Sequence, residues 1–189
     1  MKKILNRFKI LSIFSLIILL SGCNKEEEEI SAGQIRQALF DMKGTYHGNI
    51  KISYYHGSEI VKIDNAKSES RDSLSFMVPL APIAGIIEDE KVAATLREIQ
   101  EVEIKAGYKF IQIDGDGDAH FVLNLKNITI PANKNTSEIK IILAKSFGGD
   151  FVKASNFMMF NISPQEIMVG DSKLSSFKQL VYHFSGEYQ

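Results

Sequence analysis

The stretch Gly44-Thr45-Tyr46-His47-Gly48-Asn49-Ile50-Lys51-Ile52-Ser53-Tyr54 sets the fold class. Tyr46, Gly48, Ile50, Ile52 and Tyr54 alternate with Thr45, His47, Asn49, Lys51 and Ser53. Side chains on a β-strand point to opposite faces in turn, so this two-residue period predicts a strand with one face buried and one wet. His56-Gly57-Ser58 then turns the chain, and Val61 and Ile63 take up the alternation. After a polar stretch from Asn65 to Ser73, Leu74, Phe76, Val78 and Leu80 form a third alternating set. Three such strands in succession predict an antiparallel meander.

A helix is predicted immediately before this meander. Ser31-Ala32-Gly33-Gln34 fits a capping box, in which the serine oxygen accepts an early helical N–H and the glutamine reaches back. Ile35, Leu39 and Met42 make one apolar stripe, and Lys43-Gly44 ends the helix. Downstream, Pro79 to Ile87 is too rich in proline for a central strand. Val92, Leu96, Ile99 and Val102 keep helical spacing, which predicts a second helix over Glu88 to Glu103, broken at Ala106-Gly107. Further strands are predicted at Tyr108–Ile113, Ala119–Leu125, Glu138–Ala144, Asn156–Ile162 and Gln179–Tyr188. Loops are predicted between them, notably at Pro131–Ser137 and Ser146–Asp150. A faint echo links Gly44-Thr45-Tyr46 with Gly186-Glu187-Tyr188, as the two ends of a closing barrel would require. The prediction is a mainly β domain over 31–189, an antiparallel barrel or sandwich with an N-terminal helix and one inserted helix.

The first thirty residues carry an address. Lys2, Lys3, Arg7 and Lys9 precede the apolar run Ile10 to Leu20. That run falls short of the about 20 apolar residues that cross a bilayer as a helix, and the pattern is that of a signal peptide. Leu20-Ser21-Gly22-Cys23 resembles the bacterial lipoprotein box, which implies cleavage after residue 22 and lipidation of Cys23. A diacylglyceryl thioether plus an acylated amine exceeds the two-chain threshold for stable attachment, so a domain tethered to a membrane is expected. Cys23 is the only cysteine, which leaves no disulfide, thiolate metal site or cysteine nucleophile elsewhere. Removing Lys2, Lys3, Arg7 and Lys9 with the signal leaves 18 basic against 23 acidic residues, a net charge of −5. A mildly acidic body has no electrostatic reason to seek nucleic acid.

Residues 23–30 read as a solvated tether. Lys25 followed by Glu26, Glu27, Glu28 and Glu29 also resembles the export signal of Bacteroidota surface lipoproteins. The resemblance implies the outer face of the outer membrane, with a periplasm-facing anchor as the alternative. Asp72-Ser73-Leu74 resembles the three-residue motif at which Bacteroidota glycosylate exported proteins, with Ser73 as acceptor.

Catalytic and metal signatures are thin. Asp114-Gly115-Asp116-Gly117-Asp118 places acids at alternate positions, as a calcium loop does. An EF-hand loop counted from Asp114 wants glycine where Ala119 stands and glutamate where Leu125 stands, and both flanks read as strands. A hairpin turn therefore takes precedence over a calcium loop. His47, His56, His120 and His183 show no metal-ligand spacing, and no metal or other cofactor is predicted. There is no G-x-S-x-G elbow, and Gly148-Gly149 lacks the Lys-Ser/Thr of a phosphate loop. Acid pairs such as Glu88/Asp89 and Glu101/Glu103 fall where solvated helix charge is expected. The best lead for binding is Met77 to Ile87, with Met77, Leu80, Ile83 and Ile86 as candidate lining of a barrel mouth. Phe157-Met158-Met159-Phe160 reads first as a buried strand and second as an adaptable binding surface.

The chain as a whole resembles a small Bacteroidota lipoprotein family of unknown function. The likeness rests on Leu20–Cys23, on Ala38-Leu39-Phe40-Asp41-Met42-Lys43-Gly44-Thr45-Tyr46-His47-Gly48, and on Arg71–Leu74 through Pro79–Ile87. It brings no known catalytic residues. Gly44-Thr45-Tyr46-x-Gly48 is also similar to the start of calycin-type barrels. The expected function is a lipid-anchored, non-catalytic module binding an apolar ligand or a surface partner. The alternatives are an accessory envelope protein recognising another protein and, behind it, a hydrolase. An enzyme would need His47, His120 or His183 beside a carboxylate in a cleft.

Overall fold

The computed structural model describes residues 29–174 and 177–189. Its frame is a closed antiparallel barrel of eight strands: β1 (Gly44–Tyr54), β2 (Glu59–Ser70), β3 (Ser73–Pro79), β4 (Glu101–Ile113), β5 (Ala119–Leu125), β8 (Gly148–Val152), β9 (Phe157–Ile162) and β12 (Leu180–Tyr188). Consecutive barrel strands are neighbours, and β12 closes on β1, so the path runs up and down around the wall. Four short strands, β6 (Ile128–Ile130), β7 (Ile139–Leu143), β10 (Pro164–Val169) and β11 (Ser172–Lys173), form a second sheet in the order β11-β10-β7-β6. Helices α2 (Ala81–Ala84) and α3 (Glu90–Ile99) lie between β3 and β4.

Topology sorts these additions to one end. The helical insert follows β3, β6–β7 follow β5, and β10–β11 follow β9. In an up-and-down barrel the connections after the first, third, fifth and seventh strands share one end, called here the mouth. The base carries the short turns and helix α1 (Ala32–Asp41). The expected capping box is formed: the Gln34 N–H donates to Ser31 Oγ at 3.2 Å, and the Ser31 N–H donates to Gln34 Oε1 at 2.9 Å. Two further contacts hold α1 across the base. The Tyr46 hydroxyl donates to the Met42 carbonyl at 2.8 Å, and Lys153 Nζ pairs with Asp41 Oδ2 at 2.7 Å.

The barrel interior is filled. Phe160 stacks on Phe184 with ring centroids 4.9 Å apart, and Phe76 meets Phe160 edge-on at 4.8 Å. Tyr46, Phe121 and Phe151 are buried with them. Outside, the wall carries exposed Lys51, Lys62, Asp64, Glu103, Lys105 and Lys109. Apolar inside and charged outside is the reverse of a barrel whose strands cross a bilayer. No described helix is long and apolar enough to cross a membrane.

Barrel closure explains the echo at the chain ends. Tyr46 lies opposite Tyr188 and Gly48 opposite Gly186. A Cβ on Gly48 would come within 1.9 Å of the Ser185 carbonyl oxygen, so this seam requires glycine.

Several boundaries differ from expectation. The second helix stops at Ile99, because Gln100 takes φ 68° and turns the chain; Glu101 to Ala106 belong to β4. Strand β2 continues through the polar stretch to Ser70, with a bulge at Asn65 (φ 60°). Ser68 and Ser70 fill inward positions there, so polarity hid the strand. Gly148 to Asp150 are part of strand β8, not a loop: the glycines let it press against its neighbours, where a Cβ on Gly148 would meet the Phe121 carbonyl oxygen at 1.8 Å. Pro164 opens β10, and Gly170-Asp171 turns the chain into β11.

Candidate ligand cleft at the barrel mouth

Strand β3 ends at Pro79, and the segment after it is pinned over the barrel from two sides. The buried Tyr182 hydroxyl donates to the Pro79 carbonyl at 2.9 Å, and the Leu80 N–H donates to the Gln100 carbonyl at 2.7 Å. Burial holds the Tyr182 phenol proton well above its ordinary value, so this donor persists through neutral and mildly alkaline solution. Leu80 and Ile83 are fully buried and belong to the hydrophobic core. Met77 faces the other way, on the outer side of β3, 39% exposed.

Of the four residues expected to line a mouth, Ile86 borders an open cleft among the described residues. It lies with Tyr54, Gly85, Ile87, Glu88, Phe177 and Lys178 around an open cleft of about 440 Å³. That volume is within the range of small-molecule sites. Tyr54 comes from the end of β1, Ile86 and Ile87 from the turn after α2, and Phe177 and Lys178 from the approach to β12. Four of the lining side chains are aromatic or aliphatic, Tyr54, Ile86, Ile87 and Phe177, and two are charged, Lys178 and Glu88. Lys178 Nζ lies 5.1 Å from the Tyr54 ring centroid, a cation–π contact that holds the ammonium over the cleft. Tyr55, the next residue, is 48% exposed and meets Phe147 edge-on.

Phe177 and Lys178 gave no signal in the sequence, because they lie in an irregular segment with neither helical nor strand period. Tyr54 was visible as the last inward residue of β1.

The other candidates are distributed elsewhere. His47, His120 and His183 project from β1, β5 and β12; His120 and His183 are separated by β8 and β9, so they do not converge. His120 Nδ1 bonds the Asp150 carboxylate, and its Nε2 lies 3.9 Å from Asp114. This pair sits in a shallow depression that Ser146 also lines, but among the described residues no hydrogen bond joins the Ser146 hydroxyl to His120. His183 Nδ1 lies 2.6 Å from Asn161 Oδ1, and burial, with Lys51 adding to it, lowers its pKa.

The acidic turn is tied to its neighbours. Asp118 Oδ1 accepts the Lys153 N–H at 2.9 Å, and Asp114 Oδ1 accepts from Gln112 at 2.6 Å. Among the described residues no group of three or more His, Cys, Asp or Glu is placed to hold a metal ion. Ser73 is half-buried at the start of β3, at the base. Cys23, Lys25, Glu26, Glu27 and Glu28 lie outside the described residues, and Glu29 is exposed just before α1. Comparison with models of known protein families, with curated proteins and with solved structures finds no match.

Proposed function

We propose that this chain is a lipid-anchored envelope protein whose domain binds an apolar ligand at the barrel mouth. The observation that carries the reading is the cleft of about 440 Å³ lined in part by Tyr54, Ile86, Ile87 and Phe177. A packed interior leaves an amphiphile the mouth to occupy, with its apolar part on those side chains and an acidic head beside Lys178. The anchor at Cys23 and the outer-membrane, surface-exposed address rest on the sequence of residues 1–29 and its likeness to Bacteroidota lipoproteins.

Titration of the full chain in mild detergent with a fluorescent long-chain carboxylate tests the ligand reading. Saturable binding is expected, weakened at least tenfold by Ile86→Asp and shifted less by Lys178→Met. Equal affinity for wild type and Ile86→Asp refutes it. A second reading, docking of an envelope protein over the same mouth, is favoured by the exposed ring of Tyr55 beside Phe147.

A further inference from the structure

The barrel wall is unevenly sewn. Strands β2 and β3 pair only at Ser68–Phe76, Glu69–Ser75 and Ser70–Leu74. Above that point β2 stays on β1 as far as Glu59, while β3 stays on β4. Among the described residues, Glu59 to Lys67 thus have a strand on one side alone, and the backbone groups facing the other way have no ladder partner. Large apolar side chains border the gap: Ile60 is 42% exposed, Val61 36% and Met77 39%. An unpaired edge with apolar flanks is a template for another strand.

We propose that this edge is an interface between two copies of the chain, in which β2 of one adds antiparallel to β2 of the other across a two-fold axis at Ile63. The charge order selects this occupant and this register. Centred on Ile63, Lys62 lies opposite Asp64 of the second copy, and Asp64 opposite its Lys62. Within one chain Lys62 and Asp64 already pair at 2.7 Å, so the interface holds four charges of alternating sign. Sliding the strands by two residues sets Lys62 against Lys62 in one direction and Asp64 against Asp64 in the other, and like charges directly opposite are destabilising. The selected register also overlaps the whole free run, Glu59 to Lys67. It sets Ile63 on Ile63 and lays Val61 against the Asn65 bulge and Ala66.

A two-fold axis through the wall sets the barrels head to tail. Residues 23–30 extend at most about 28 Å, so both anchors reach one bilayer when the barrels lie along its plane. One strand pair buries less than the roughly 1,200–2,000 Å² of a standard interface, so the pairing is weak in dilute solution. It relies on the effective concentration that a shared membrane supplies. The inference does not depend on the ligand reading.

Sedimentation equilibrium of the full chain in detergent, from micromolar to near-millimolar protein, tests it with Lys62→Asp and Asp64→Lys. Both residues are exposed, so both variants keep the wild-type melting temperature. Wild type should rise towards twice the monomer mass. Each variant alone, presenting two like charges to two like charges, should stay monomeric across the range. An equimolar mixture of the two variants should recover the association. A wild type that remains monomeric throughout, or variants that associate as wild type does, overturns the proposal.

Discussion

Tyr46 links α1 to the barrel, and its phenol gives that link a pH signature. The side chain is 1% exposed, and its hydroxyl donates to the carbonyl of Met42, the residue that caps α1. Tyr46→Phe removes the donor and leaves a buried carbonyl short of a partner, which costs about 1.5 kcal/mol near neutrality. Burial first, and the neighbouring Tyr188 second, raise the Tyr46 pKa from 10.0 to about 12. A folded-state pKa above the unfolded one contributes stability that is complete below pH 10 and is lost as pH climbs through the folded value. Two units at 1.36 kcal/mol each amount to ~2.7 kcal/mol. The phenylalanine variant has nothing to lose there. Wild type should therefore exceed Tyr46→Phe by about 1.5 kcal/mol at neutral pH, equal it near pH 11, and fall about 1 kcal/mol below it at pH 12. Tyr182 is raised by burial alone, so its effect cancels in the difference, and Tyr108 is raised first by burial, with Tyr46 the smallest of its causes, so it leaves only a small residue. Urea unfolding followed by far-ultraviolet circular dichroism, at a series of pH values, measures the crossing. A difference that stays constant from neutral to strongly alkaline solution refutes the reasoning.

Phe160 stands at the centre of the aromatic core, between Phe76 and Phe184. Phe160→Ala should destabilise by about 3–5 kcal/mol in urea unfolding, whereas Ile111→Ala, at a bulge residue 62% exposed, should cost little. His183 gives an acid-side test. Its folded pKa lies below the ordinary 6.5, so its contribution is present above pH 6.5 and is lost as pH falls through the folded value. His183→Asn should flatten the stability profile in mildly acidic solution, and an unchanged slope would show that His183 does not titrate this way.

Local chemistry made much of the barrel legible in advance. The box at Ser31 and Gln34 marked α1, strict alternation marked β1 and β3, and the apolar run Phe157–Phe160 marked β9. Where reading failed, tertiary packing had overruled a local signal. Ser68 and Ser70 face inward, with the Ser70 hydroxyl meeting that of Tyr108 at 2.7 Å, so the second half of β2 read as a polar connection. Val102 satisfies both helical spacing and strand alternation, and only the turn at Gln100 decides between them. Glycines usually break strands, yet Gly148 and Gly149 are what allow β8 to fit between β5 and β9. The mouth cleft was half legible: Pro79–Ile87 drew attention as an apolar segment, but which of its side chains fill the core and which face the cleft is set by the two hydrogen bonds at Pro79 and Leu80.

Methyl-resolved NMR of the full chain in detergent, titrated with decanoate, tests the central claim most directly. The account predicts saturable shifts concentrated on the methyl groups of Ile86 and Ile87, with those of Leu123 and Ile141, deep in the core, unmoved. Shifts centred on Ile111 or Met77, or no saturable shift at all, would contradict it.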